Sequence, residues 1–178
     1  NILKDAYQYG MYLYYTKFSS ISKNKISSRS ASFTSSYYGI YAYYSNVNTV
    51  NANKIYIPTT ISSPYGMYFY YINYTNASGA GLIANNELII NASSSNGHGM
   101  YIMNSRLNIY HNSIHVNATA ASKGLYISTS TNYPIAVRQN NIGSFSSMVF
   151  PIYLSSLNGL TLNYNNYYGS YIGYVNSG

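Results

Sequence analysis

Apolar and polar residues alternate with a period of two in six short segments of the chain, which predicts β-strands with one buried face. Each segment follows a Gly or Pro anchor, and the anchors recur every 25 to 33 residues, at Gly10, Gly39, Gly66, Gly99, Gly124 and Pro151. The first and third positions after every anchor are apolar. The position between them is tyrosine in all six segments, at Tyr12, Tyr41, Tyr68, Tyr101, Tyr126 and Tyr153. We expect these tyrosines to form an outward file, widened in the first three segments by Tyr14, Tyr43 and Tyr70.

A second block follows each of these segments and reads apolar, two variable residues, Asn, one variable residue, apolar. Its asparagines are Asn24, Asn53, Asn86, Asn112, Asn140 and Asn165. Asparagine tolerates the left-handed backbone of a tight corner, and its amide both donates and accepts hydrogen bonds. We therefore expect these asparagines to form the corners and, stacked at the strand spacing, a ladder of amides.

Columns of like residues that recur every 25 to 33 residues predict an all-β fold, a parallel β-solenoid of about six coils in one domain spanning residues 1–178, and the resemblance described below implies that it is right-handed. A sandwich of antiparallel strands remains open, although hairpins do not require identical columns. The opening residues Asn1, Ile2 and Leu3 fit the end of a preceding coil, whereas residues 168–178 follow no clear phase. We expect a fragment of a longer solenoid, or a subunit that stacks end to end.

Together, the apolar-Tyr-apolar segments after Gly and the recurring N-x-I blocks resemble the right-handed parallel β-helix repeats of the pectin-lyase-like superfamily. The resemblance covers about residues 1–167 and implies three short parallel sheets, an asparagine ladder at one corner and extracellular roles on polysaccharides. Carbohydrate-active members use acidic residues on one exposed sheet, and this chain departs from that pattern. Its composition also resembles that of surface proteins or viral fibres of thermoacidophilic archaea.

Charge and composition indicate the kind of environment in which the protein works. The 178 residues include 26 tyrosines, no cysteine and two acids, Asp5 and Glu87, with a net charge of +7. Because acid denaturation acts mainly through carboxylates, the scarcity of acids favours an acidic medium outside the cell as one interpretation. The nine basic residues are scattered, which is typical of a solvated face; attraction to an acidic polymer is the alternative. No apolar run is long enough for a membrane span.

Candidate catalytic chemistry is sparse. Glycoside hydrolysis needs two carboxyl groups about 5 to 10 Å apart, and three predicted coils separate Asp5 from Glu87, or about 14 Å at the strand spacing. The histidines, His98, His111 and His115, do not converge on one metal. We therefore predict no catalytic residues, no bound metal and no cofactor, and so no enzymatic activity. Stacking on nucleic-acid bases would need Lys and Arg among the tyrosines, so nucleic acid is not an expected partner.

Two surface features remain as candidates for contact with partners. Sequons for N-glycosylation occur at Asn73, Asn76, Asn91 and Asn117, all in predicted loops. The tyrosine file offers apolar faces and hydroxyls together, as in platforms for sugar rings or for a neighbouring subunit; plain cross-strand packing is the alternative. We expect a structural or adhesive β-solenoid of a filament, fibre or surface layer, extracellular or at the cell surface, which self-associates or contacts neighbouring surface proteins. An extracellular glycan-binding β-helix, or the non-catalytic part of a polysaccharide-processing enzyme, is the alternative.

Overall fold

The computed structural model describes residues 1–29, 36–58, 61–75, 79–92, 96–118, 121–143, 149–169 and 173–175, and within them the chain forms a parallel β-solenoid of twenty strands. Sheet A contains β1 (Ile2–Ala6), β4 (Lys25–Ser28), β7 (Lys54–Ile57), β10 (Glu87–Asn91), β13 (Ser113–Asn117), β16 (Asn141–Gly143) and β19 (Asn166–Tyr168). Sheet B contains β2 (Tyr9–Tyr14), β5 (Ser36–Tyr43), β8 (Ser63–Tyr70), β11 (His98–Met103), β14 (Lys123–Ser128), β17 (Phe150–Leu154) and β20 (Gly173–Val175). Sheet C contains β3 (Lys17–Ser22), β6 (Asn46–Asn51), β9 (Gly81–Ala84), β12 (Leu107–Tyr110), β15 (Ile135–Arg138) and β18 (Leu160–Asn163).

The predicted fold class is confirmed, because every strand pairs in parallel with the strand three places along the chain. The solenoid makes about five turns, which differs slightly from the predicted six coils, and sheets A and B each have a seventh strand where sheet C has six. In sheet A this strand is β1, whose Leu3 pairs with Ile26, as the opening residues predicted. In sheet B it is β20, from the stretch that followed no clear phase; its Tyr174 pairs with Tyr153. No helix long and apolar enough to cross a membrane occurs among the described residues.

Like residues stack on like along the inside of the solenoid. The predicted apolar columns lie in register, for example Ile55, Leu88 and Ile114 in sheet A, and all three of these side chains are buried. Each such aliphatic side chain contributes on the order of 1.5–3 kcal/mol by leaving water. The columns therefore hold successive coils together over their whole width.

The anchor glycines lie where sheet B passes closest to the side chains of sheet A. A Cβ atom at Gly39 would lie 2.6 Å from the carbonyl oxygen of Gly66 and 2.6 Å from Cγ2 of Ile55. Both distances are far below van der Waals contact, so a side chain would push apart two coils and two sheets at once. Gly recurs at this position because the space inside is already filled by the aliphatic column.

The asparagine ladder is confirmed, and its rungs are joined by hydrogen bonds from coil to coil. Asn53 donates from its side-chain amide to Oδ1 of Asn86 at 3.0 Å and to the carbonyl of Ile21 at 2.9 Å. Its own Oδ1 accepts from the backbone N–H and from the side-chain amide of Asn24, at 3.1 and 2.8 Å. Corresponding amide-to-amide bonds join the rungs Asn86, Asn112, Asn140 and Asn165, and Asn1 adds a rung before Asn24. The amides thus replace the water that buried polar groups would otherwise need.

The left-handed residue at each ladder corner is not the asparagine, which the sequence predicted, but the residue before it. Positive φ angles occur at Lys23, Ala52, Asn85, His111, Gln139 and Tyr164, which directly precede the six predicted ladder asparagines. The left-handed conformation costs a non-glycine residue roughly 1–2 kcal/mol. The left-handed residue turns the following asparagine inward. Asn53 and Asn86, for example, are almost completely buried and can form the ladder.

Candidate functional site

The outer face of sheet B carries the predicted file of tyrosines, and their rings are stacked. Tyr41 lies 5.1 Å from Tyr68, and Tyr68 lies 5.2 Å from Tyr101, between ring centroids, with interplanar angles of 3° and 2°. The closest stacking in the file, 4.2 Å, joins Tyr101 and Tyr126. The complete file is Tyr12, Tyr41, Tyr68, Tyr101, Tyr126 and Tyr153, extended by Tyr174. The strand register places the six predicted side chains outward, and Tyr174, which was not predicted, pairs in register with Tyr153.

Three shorter files widen this surface at one end of the solenoid. They are Tyr9, Tyr38 and Tyr65; Tyr14, Tyr43 and Tyr70; and Tyr15, Tyr44 and Tyr71. Edge-to-face contacts join Tyr9 to Tyr12, at 4.9 Å, and Tyr14 to Tyr15, at 4.6 Å. Tyr12 and Tyr14 lie nearly parallel, 6.2 Å apart. We call the four files together the tyrosine face. Such paired rings contribute about 0.5–1.5 kcal/mol each beyond their buried area, so the face is a rigid aromatic layer.

Two of the flanking files were missed by sequence reasoning, although the sequence carried a signal for both. Tyr9, Tyr38 and Tyr65 each stand one position before an anchor glycine. The other missed file, Tyr15, Tyr44 and Tyr71, directly follows the predicted Tyr14, Tyr43 and Tyr70 in the sequence. It occupies a corner where Tyr15 and Tyr44 have φ angles of 49° and 47°. Bulky residues are uncommon in that conformation, so a pattern search restricted to strands does not find them. The third flanking file, Tyr14, Tyr43 and Tyr70, is the predicted widening of the central file.

The tyrosine face carries phenol hydroxyls, which are uncharged groups that both donate and accept hydrogen bonds. Burial against neighbouring rings raises the pKa of Tyr41 to about 12, with a further contribution from the adjacent phenols. Burial, again with neighbouring tyrosines, also raises the pKa of Tyr68 and of Tyr101. Among the described outward residues of the sheet B strands, Lys123 is the one with a permanent charge near neutral pH. The face therefore combines apolar rings with uncharged hydrogen-bonding groups.

His98 is buried and stands next in register after the flanking file Tyr9, Tyr38 and Tyr65. It follows Tyr65 in the strand register, and Lys123 follows it on the next strand. Its ring centroid lies 4.9 Å from that of Tyr65, and its Nδ1 has no hydrogen-bond partner in the part of the chain that is described. Burial, assisted by the charge of Lys123, lowers the pKa of His98 to about 3. This imidazole is therefore neutral at physiological pH and packs as an aromatic ring.

The remaining candidates for chemistry stay apart in the fold. Asp5 lies in β1 and Glu87 in β10, three strand steps away in sheet A, or about 14 Å along the axis. That distance is too long for the carboxyl pair of a glycosidase. His98 belongs to sheet B, His111 to a ladder corner and His115 to sheet A. No group of three or more metal-ligating residues occurs within the described ranges.

The predicted sequons do not all lie in loops. Asn73 is buried, and both atoms of its amide pair with the backbone of Val47 at 2.9 Å. A glycan is attached through that amide nitrogen, and in this fold the nitrogen is engaged with Val47, although Asn73 does lie in a turn between β8 and β9. Asn91 and Asn117 are the last residues of β10 and β13. Asn76 lies outside the described residues.

Comparison of the chain with protein-family models, with curated proteins and with solved structures finds no match. The parallel β-solenoid, the asparagine ladder and the tyrosine face are therefore the features on which an assignment of function depends.

Proposed function

We propose that this chain is a non-catalytic structural or adhesive β-solenoid of a filament, fibre or surface layer, acting outside the cell or at its surface. The observation that carries the proposal is the tyrosine face, a continuous aromatic layer on one side of an elongated stack of coils. Contiguous apolar surfaces of this extent are characteristic of contact sites between proteins. Its expected partner is a neighbouring copy of this chain or another surface-protein subunit.

Electrostatics favours contact through this face. The chain has a net charge of +7, so two copies repel each other wherever their lysines and arginines approach. Beside the tyrosine face, Lys123 is the one Lys, Arg, Asp or Glu among the described outward residues of the sheet B strands, and tyrosines are enriched at protein interfaces. Two copies can therefore approach face to face with little repulsion.

The stacked coils supply the stiffness that a fibre or layer needs. Each coil is joined to the next by three parallel sheets, by the ladder and by the apolar columns. We propose further that the solenoid winds right-handed, as in the pectin-lyase-like superfamily, and that the source is a thermoacidophilic archaeon or its virus. The first point is supported by the three parallel sheets with an asparagine ladder, the second by composition alone.

Removal of rings from the tyrosine face tests self-association. In the double variant Tyr68→Ala and Tyr101→Ala, we expect the dissociation constant between copies to rise about tenfold or more, measured by sedimentation velocity over a concentration series, with electron micrographs of both proteins. The matched control is Tyr110→Ala, because Tyr110 projects from sheet C on another side of the solenoid. A wild-type chain that stays monomeric at the highest soluble concentration would refute self-association through the tyrosine face.

The second candidate is an extracellular glycan-binding β-helix, or the non-catalytic part of a polysaccharide-processing enzyme. It is favoured by the same stacked rings, since tyrosine offers a flat apolar face and a hydroxyl to a sugar. Calorimetric titration with neutral polysaccharides separates the two candidates: binding lost in the double variant, with no self-association of the wild type, selects the glycan binder. Release of new reducing ends from a polysaccharide would contradict both.

A further inference from the structure

A groove of about 380 Å³ lies on the outer face of sheet A, away from the tyrosine face. It is lined by Lys4, Lys25 and Lys54, by Tyr56 and Ile89, and by Glu87 at one end. Its depth has a simple cause, because the short side chain of Ser27 also lines it, in register with the bulky ring of Tyr56 on the next strand. The groove therefore forms because the strand register places a short side chain beside a bulky one on the adjacent strand.

Two lysines of the groove repel each other across neighbouring strands. Lys25 and Lys54 are directly paired in register on neighbouring parallel strands, and like charges in such pairs destabilise a sheet. Glu87 is the next residue of the same file, and its Oε2 lies 2.6 Å from Nζ of Lys54. Three lysines thus face one carboxylate in the groove lining, and the groove is positive even if Asp5 on β1 is counted.

The rest of the groove is apolar and aromatic. Half of the Tyr56 side chain is exposed, at 50%, and Ile2 at the edge is 64% exposed. Exposed rings and aliphatic groups beside clustered lysines suit a ligand with an anionic group and a hydrophobic or ring-shaped body. Nucleic acid fits less well, because successive bases require several stacking rings and Tyr56 is the one ring among the lining residues.

We propose that this groove binds a phosphate monoester, with the phosphate between Lys25 and Lys54 and the organic part against Tyr56 and Ile89. Lysines on adjacent strands stand about 4.8 Å apart at the backbone, so both ammonium groups can reach one phosphate. A phosphate monoester carries close to two negative charges above its second pKa of about 6, which matches the paired lysines better than a single charge does. Glu87 competes with the ligand for Lys54. The site is independent of the tyrosine face and of the function proposed for it.

Calorimetric titration of the full chain at pH about 8, where the ester is a dianion, tests the site with phenyl phosphate as the probe. Phenyl sulfate, which has the same ring and one charge less, should bind at least about fivefold more weakly, and benzyl alcohol should not bind measurably. Equal binding of the sulfate and the phosphate would overturn the proposal. So would tighter binding of polygalacturonate or of an oligothymidylate than of phenyl phosphate.

Variants separate a specific site from general attraction by the net charge. Lys25→Gln and Lys54→Gln should each weaken binding of phenyl phosphate about fivefold or more, since each removes a charge-assisted contact. Lys17→Gln makes the same change in charge on sheet C and should leave binding unchanged. Glu87→Gln should strengthen binding, because it releases Lys54. A loss of affinity in Lys17→Gln equal to that in Lys25→Gln, or a weaker Glu87→Gln variant, would refute the site.

The source of the phosphate is decided by a competition experiment. Vesicles containing phosphatidic acid that displace phenyl phosphate, when phosphatidylcholine vesicles do not, would assign the site to a membrane headgroup. Failure of both vesicles, with phenyl phosphate still bound, would assign it to a soluble ester. Both results support the site. Displacement by phosphatidylcholine vesicles to the same extent would instead show that the anionic group is not recognised, and would refute it.

Discussion

Asn86 donates to one oxygen atom of Asn112 twice, from its backbone N–H at 3.0 Å and from its side-chain amide at 2.9 Å. Asn112 in turn donates to the carbonyl of Ile83 at 2.9 Å and to Oδ1 of Asn140 at 2.9 Å. One side chain therefore joins three coils. Because it is buried, water cannot replace it when it is removed.

The substitution Asn112→Ala should destabilise the protein strongly. It removes the acceptor of the buried backbone N–H of Asn86 and of one of the two bonds of its side-chain amide, and it removes the donor to the Ile83 carbonyl. Each buried group left unpaired costs about 1–3 kcal/mol. We expect a loss of about 3 kcal/mol or more in the free energy of unfolding, measured by urea denaturation. The control is Asn108→Ala, four residues earlier on the partly exposed side of sheet C. Equal, small losses in both variants would contradict the role of the ladder.

The anchor glycines give a second prediction. Gly39→Ala should lower the melting temperature markedly or prevent folding, because the new methyl group would overlap the Gly66 carbonyl and the Ile55 side chain. Gly79→Ala is the matched control, since a Cβ atom at Gly79 meets nothing within 4 Å. Thermal unfolding followed by circular dichroism compares the two. Similar melting temperatures for both variants would show that the coils can separate at this position at little cost.

His98 predicts a loss of stability in acid. Its pKa is lowered to about 3 in the folded protein from 6.5 in an unfolded chain, so between these values the unfolded state binds the additional proton. The free energy of unfolding should therefore fall as the pH drops from about 6.5 towards 3. We expect the fall between pH 7 and pH 4 to be smaller in His98→Gln than in the wild type, by about 1 kcal/mol or more.

Urea denaturation at a series of pH values measures this difference. The control, His111→Asn, replaces an exposed histidine with a residue that accepts its left-handed φ of 56°, and it should retain the fall seen in the wild type. An acid dependence that is identical in the wild type and in His98→Gln would mean that the buried imidazole is not responsible.

The tyrosine face predicts a loss of stability in alkali. Folding raises the pKa of Tyr41 to about 12, and that of Tyr68 and Tyr101 as well, so the unfolded chain releases their protons first. The contribution of these phenols to stability is complete below pH about 10 and decreases as the pH rises further. Phenolate absorbance should appear at higher pH in the native protein than in concentrated urea, together with the loss of the circular dichroism signal. Superimposable titration curves would contradict the packing of these rings.

The repeated features could be predicted from the sequence because stacking places equivalent residues in contact. Tyr41 over Tyr68 and Asn53 over Asn86 are visible as columns when the repeats are aligned on their anchors. The corner residues could not be predicted in this way, since Lys23 and Ala52 share a φ angle but no chemistry. Their conformation is imposed by the buried asparagine that follows.

Features that depend on a single contact between coils also could not be predicted from the sequence. Asn73 reads as a glycosylation acceptor in a loop, but its amide pairs with Val47, 26 residues earlier. The groove of sheet A depends on Ser27 standing beside Tyr56 in register, which requires the correct offset between two coils. Neither relationship belongs to a repeated column, so neither leaves a periodic signal.

Because each coil repeats the contacts of its neighbour, the length of this molecule can change without a change in its cross-section. Duplication of one coil, for example from Gly99 to Lys123, would add one rung to the ladder, one ring to the tyrosine file and about 4.8 Å to the axis. The axial length of the solenoid and the number of rings in the tyrosine file therefore rise in fixed increments. Recombination between repeats can change both while the core of each coil stays the same.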